Sequence, residues 1–289
     1  MIGNDESPLP DTEVHYLRSE HVGDEFKVLI GHCLSSESAP MPVVFVSDAS
    51  LLFGTAVDMI RLLNLYERLP TLLVVGVGYR VTDNNMILDL RSRDFTPTVD
   101  SRYAADDPAT MGGAGRFLAF LRDELKPWVR EQYRVDPDDS TFFGDSLGGL
   151  FATYVLLSEP ATFRRYGIGS PSLRWDNELM FEHEAEYARV HDDLPAKVFF
   201  SVGAYENPEG DKRLREQLPA DARAKAEADD EADPPADDVA ETERMVALLR
   251  GRAYPSLKID YEVLPGEYHE TAPPLNLSRS LRYFFDAPR

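Results

Sequence analysis

Residues 142–157 read FFGDSLGGLFATYVLL: an apolar run, a tight turn of small residues, and a second apolar run at helical spacing. The serine of Gly144-Asp145-Ser146-Leu147-Gly148 sits where strand-like sequence gives way to helix-like sequence. A strand that turns abruptly into a helix needs small residues two before and two after the turning residue, because larger side chains there strike neighbouring backbone. This is the pattern of a nucleophile elbow, which lifts a hydroxyl above the carboxyl edge of a sheet. The adjoining helix N-terminus favours developing negative charge there. The stretch predicts Ser146 as a nucleophile and an α/β-hydrolase fold around it.

Working outward, 13–19 and 25–32 read as an opening antiparallel pair of strands joined at Gly23. The short apolar runs PVVFV (42–46) and TLLVVGV (71–77) read as central strands covered on both faces. Residues 141–144, 166–169, 197–202 and 257–263 continue the series, giving about eight strands in a mostly parallel sheet with helices on both faces. Helical spacing occupies 54–66, 113–133, 147–158, 242–252 and 275–285. Residues 82–110 read as a polar loop, and about 208–240, containing EADDEADPPADD, as a mobile acidic insertion too poor in apolar residues to pack. The whole of 1–289 is expected to form one domain.

A serine hydroxyl needs a base, and in this fold the acid and then the histidine follow the nucleophile in chain order. His269, in LPGEYHETAPP after the last strand, fits the base. His15, His21 and His32 precede the elbow, and His183 and His191 lie in a polar helical segment. Glu206 is the first carboxylate past the strand 197–202, and Asp211 is the alternative. An oxyanion needs two backbone donors: Leu147 N follows the nucleophile, and the second is expected after PVVFV at Ala49 or Ser50.

Composition limits the rest. A net charge of −21 repels nucleic acid and anionic lipid, and mean hydropathy is −0.34 with no apolar run of membrane-spanning length. The first thirty residues do not join a basic region to an apolar stretch and a cleavage site, so a soluble cytoplasmic enzyme is expected. The single cysteine, Cys33, excludes an internal disulfide and reads as a buried thiol. Neither metal nor organic cofactor is called for. The expected partner is a small-molecule ester.

Several segments resemble the esterase-D-like α/β-hydrolases, a group that includes the enterochelin (siderophore) esterases. They are VSDAS (46–50), RSRDFTPT (91–98), GAGRFLAFLRDELKPWV (113–129), SPSLRWDN (170–177), SVGAYE (201–206) and LPGEYHETAP (264–273). The resemblance implies Glu206 as the acid, and distant similarity to mycolyltransferases favours Ser50 over Ala49 for the oxyanion. Arg91, Arg93 and Trp175 are the substrate-binding candidates; there is no dense basic cluster, though Arg91, Arg93, Arg102 and Arg174 could form a small one, against the plainer reading of solvated surface arginines. Two departures stand out: Asp145 replaces the commoner histidine before the nucleophile, and the acidic stretch lengthens the gap between acid and base. The expected chemistry is ester hydrolysis through an acyl-enzyme. Transfer of the acyl group to another acceptor, cleavage of a siderophore trilactone, and a non-catalytic binding role are the alternatives; intact Ser146, His269 and Glu206 argue against the last.

Overall fold

The computed structural model describes residues 9–32, 40–66, 68–103, 110–219 and 236–285. Alternating apolar residues from both ends of the chain meet in one eight-stranded sheet of order β1-β2-β4-β3-β5-β6-β7-β8. Its strands are β1 (Thr12–Arg18), β2 (Glu25–His32), β3 (Met41–Val46), β4 (Leu73–Tyr79), β5 (Val135–Asp145), β6 (Arg165–Gly169), β7 (Lys197–Gly203) and β8 (Lys258–Leu264). β1 and β2 pair antiparallel, as does β2 with β4; every other pairing is parallel. The expected mostly parallel sheet is therefore present.

Central strands show why continuous apolar runs are needed. β4 is buried at six consecutive residues, Leu73 to Gly78, because helices cover both of its faces. On one face α1 (Ala49–Leu65) buries Leu52, Phe53, Val57 and Ile60 against β3 and β4 in a cluster shared with Leu277 and Leu281 of the last helix. On the other, α5 (Leu147–Ser158) buries Leu150, Phe151, Val155 and Leu156 within the larger core. The segment expected to be one helix over 113–133 is α3 (Ala114–Ala119), a π-helical turn (Phe120–Leu125) and α4 (Lys126–Gln132) in succession.

Two expectations need correction. The polar stretch 82–110 contains the helix α2 (Asn84–Phe95), whose start is fixed by Asp83 accepting hydrogen bonds from the amides of Asn85 and Met86. Only Asp94 and Phe95 of α2 are buried, so it carries no apolar stripe that periodicity could reveal. The acidic stretch is helical at both ends. Asn207 caps α7 (Pro208–Glu216), with proline at its first position, and Asp237 caps α8 (Asp238–Gly251). Residues 220–235 of that insertion lie outside the described residues, as does Cys33. α6 (Trp175–Val190) and α9 (Pro273–Phe285) complete the helices used below. Among the described residues no helix is long and apolar enough to cross a membrane.

Candidate active site

The elbow is set by its glycines. A Cβ on Gly144 would lie 2.1 Å from the Gly148 carbonyl oxygen, and one on Gly148 would lie 2.6 Å from Ser47 Oγ. With both absent, β5 runs directly into α5 and Ser146 takes φ 59°, ψ −119°, a conformation L-residues rarely adopt. The strained turn is held by the Ser146 amide, which donates to the Gly169 carbonyl at 3.0 Å.

His269 lies in the turn after β8, with its Nε2 3.0 Å from Ser146 Oγ. Its Nδ1 lies 2.6 Å from Glu206 Oε2. Glu206 stands three residues past the end of β7, its side chain fully buried, and Oε1 accepts from the Gly203 amide and the Ser170 hydroxyl, each at 2.6 Å. Since Oε1 already accepts two donors, Oε2 remains for the imidazole. That engagement fixes the tautomer that turns an unprotonated Nε2 toward the serine. The structure thus brings Ser146, His269 and Glu206 together in one line.

The other candidates of the same residue types are elsewhere. Asp211 lies in α7 and pairs with Arg215 at 2.5 Å. His183 packs on Tyr154, His191 stacks on Tyr187, His15 and His32 bond to Glu13, and His21 faces Asp123. Leu147 and Ser50 occupy the first turns of α5 and α1, where amides have no carbonyl one turn back to bond. Asp48, in the left-handed conformation at φ 55°, starts α1, and Ser50 lines a cavity that also contains Ser146.

The structure places the two candidate arginines differently. Arg91 reaches the cavity, but its guanidinium is committed to Asp48, with Nε to Oδ1 at 2.6 Å and Nη2 to Oδ2 at 3.2 Å. This buried bidentate pair fastens α2 to the turn that presents Ser50 and leaves no free charge for an anionic substrate. Arg93 is not at the site at all. It binds Asp94 through two nitrogens and Asp24 through the third, and lines neither cavity beside the serine. Trp175 does reach the site, stacked on Tyr103 with Nε1 donating to the Thr98 carbonyl at 3.3 Å. Thr98 Oγ1 also donates to Asp176 Oδ2 at 2.6 Å, so RSRDFTPT and SPSLRWDN are two sides of one wall.

Two cavities meet at Ser146 and His269. The larger, about 750 Å³, runs over β4 and α2 and is lined by Leu51, Leu52, Val81, Ile87 and Leu88. The other, about 500 Å³, lies between Trp175, Tyr103, Met111, Arg102 and Arg174.

The electrostatics are dominated by carboxylates. The Glu206 hydrogen bond pushes the His269 imidazole up to about 9 against the opposing effect of burial, with the charges of Glu206, Asp145 and Asp238 adding to it. Asp238, in the first turn of α8, was not legible as a site residue, since only the packing of α8 on β7 and β8 brings it there. Burial and the neighbouring charges of Glu206 and Glu241 push its carboxyl up to about 7. Glu206, Asp238 and His269 have ligand atoms within 4.8 Å of one another, the one such grouping among the described residues. Both ring nitrogens of His269 are already used by Glu206 and Ser146, so the grouping offers a cation no free imidazole.

Residues 19–231 match a family model described as "Putative esterase". The chain belongs to that esterase family. It is an ester hydrolase on an α/β-hydrolase scaffold. Among its relatives, the chain is similar to the ferri-bacillibactin esterase BesA of Bacillus subtilis, at 26% identity over 95% of this chain and 90% of the relative. It is also similar to the siderophore triacetylfusarinine C esterase of Aspergillus fumigatus, at 29% identity over 96% and 94%. Among solved structures, the siderophore hydrolase EstB from Aspergillus nidulans superposes with a TM-score of 0.80 over 98% of this chain and 99% of that one, at 22% identity. That last likeness establishes the fold of this esterase.

Proposed function

We propose that this esterase hydrolyses the carboxylic esters of a siderophore-type small molecule through an acyl-enzyme on Ser146. The observation that carries the mechanism is the unbroken hydrogen-bonded line Glu206–His269–Ser146 at the carboxyl edge of the sheet. Ser146 Oγ attacks the ester carbonyl carbon while its proton passes to His269 Nε2, and Glu206 stabilises the imidazolium. The amides of Leu147 and Ser50 receive the oxyanion. Collapse expels the alkoxide, which takes the proton from His269. Water then attacks the acyl-enzyme by the same proton route and frees Ser146.

Support for the substrate class comes from the relatives, which are named for siderophore esters and align over nearly the whole chain. The smaller cavity is lined by Trp175, Arg102 and Arg174 beside Ser146 and His269, and Arg102 is itself paired with Asp100, so pairing singles out no one arginine for an anionic chelate. The test combines labelling by a fluorophosphonate probe with turnover of p-nitrophenyl esters and of a catecholate trilactone and a hydroxamate ester siderophore, each with and without iron. Probe labelling with cleavage of at least one siderophore ester is expected. Turnover of p-nitrophenyl acetate alone would reject the substrate class, and absence of both labelling and turnover would reject the mechanism.

The same geometry sets the pH response. Only neutral imidazole accepts the serine proton, so kcat/KM is expected to rise with pH through a limb well above the 6.5 of an ordinary histidine, toward about 9. A profile measured from pH 5 to 10 checks it; a limb at or below 6.5 would mean that Glu206 does not hold the ring.

A further inference from the structure

Behind Glu206 runs a second line of buried polar groups that ends at the residue before the nucleophile. Asp145, the last residue of β5, is 4% exposed, and its Oδ2 accepts from Asn276 Nδ2 of α9 at 2.7 Å. The same amide nitrogen donates to Ser170 Oγ at 3.0 Å, and the Ser170 hydroxyl donates to Glu206 Oε1 at 2.6 Å. Asn276 and Ser170 are both fully buried. β6 is cut back to allow the meeting: a Cβ on Gly169 would lie 2.2 Å from Asp145 Oδ2 and 2.9 Å from Asn276 Nδ2.

Counting donors shows what the line does. An ionised Asp145 only accepts, so it compels the nitrogen of Asn276, and not its oxygen, to face the pair of acceptors. Asn276 Oδ1 is consequently buried with no partner among the described residues, and turning the amide over would leave the NH2 unpartnered instead while setting Oδ1 against the carboxylate. Ser170 Oγ, accepting a hydrogen bond from Asn276, has its own hydrogen free to point at Glu206. We propose that Asp145 and Asn276 are positioning residues for the triad, aiming the Ser170 hydroxyl at Glu206 Oε1 so that Oε2 alone is presented to His269. The proposal rests on the mechanism above and adds residues that act through Glu206 and His269, although Asp145 also lines the larger cavity.

The charged groups around Asp145 are His269 and Glu206 on the triad side, and Asp48 with its partner Arg91 across the elbow. Those acting on His269 are Glu206, Asp145 and Asp238. Burial pushes the Asp145 carboxyl up to about 7, opposed by Asn276 and His269 and reinforced by Glu206 and Asp48. Its charge, and with it the compulsion on Asn276, therefore changes within the pH range of the reaction.

The test is a double-mutant cycle of Asp145→Asn and Ser170→Ala, with Asn276→Leu as an independent break in the middle. Two readouts are used: kcat and KM on an activated ester, and the titration of His269 followed by 1H–15N NMR. Each single variant is expected to lower kcat about 3- to 10-fold with little change in KM, and the double variant to be no worse than about twofold below the poorer single one. Asp145→Asn should also lower the His269 titration by about 0.5, because a carboxylate that favours the imidazolium has been removed. Losses that multiply in the double variant, or a His269 titration unmoved by Asp145→Asn, would overturn the proposal. Asp145→Asn is isosteric and Ser170→Ala loses one atom, so the cycle stands even if Asn276→Leu does not fold. The NMR titration needs no substrate, so a wrong substrate or mechanism and a wrong relay give different results.

Discussion

Ser146→Ala is expected to fold and to lose essentially all turnover of an activated ester. In the serine protease precedent, removing the nucleophile costs on the order of 10⁶ in kcat, and the remainder comes from binding and the oxyanion donors. Among the described residues, the hydrogen-bond partner of His269 Nε2 is Ser146 Oγ, at 3.0 Å. Stability should barely move, because the residue is only partly buried and alanine keeps the Cβ that the turn already accommodates at φ 59°. The same substitution should abolish fluorophosphonate labelling. Measuring kcat beside thermal unfolding separates the two effects; a folded variant with more than a few per cent of wild-type activity would remove Ser146 from the mechanism.

Glu206→Gln is expected to be nearly as damaging, and for a reason that can be read from donor directions. Oε1 faces two donors, the Gly203 amide and the Ser170 hydroxyl, so the glutamine oxygen must take that place. Its NH2 then meets Nδ1 and selects the tautomer with the proton on Nε2, which can no longer accept from Ser146. The expected loss in kcat is about 10⁴, softened toward 10² if the imidazole swings to a neighbouring carboxylate, with a smaller change in KM. Asp238 is the neighbour placed to do that. Glu206→Asp should retain part of the activity, since it keeps the charge but falls one methylene short of spanning both contacts. Asp211→Asn should be close to wild type, because Asp211 is engaged with Arg215 on its own helix. A crippled Asp211→Asn beside an active Glu206→Gln would move the acid to Asp211.

Much of this molecule was legible before any coordinates, and what was legible is what depends on near neighbours in sequence. A strand, a sharp turn and a helix are local structures, so FFGDSLGGLFATYVLL carries the elbow in its own spacing. Chain order after the elbow then singles out His269 and narrows the acid to Glu206 or Asp211. α2 escaped because helices are recognised by an apolar stripe, and this one buries only its last two residues while capping itself with Asp83. The residues that tertiary structure alone decided are those whose roles depend on partners far along the chain. Arg91 and Arg93 were substrate-binding candidates in the sequence, but Asp48 lies 43 residues from the first and Asp24 lies 69 from the second, and only the packed sheet shows these pairings, to which Arg93 adds its neighbour Asp94. Asp145, Asn276 and Ser170 lie in three segments separated by up to 131 residues, and although Asp145 stood out beside the nucleophile, nothing in the sequence joins the three until burial removes water and forces each to find its hydrogen bonds in the others.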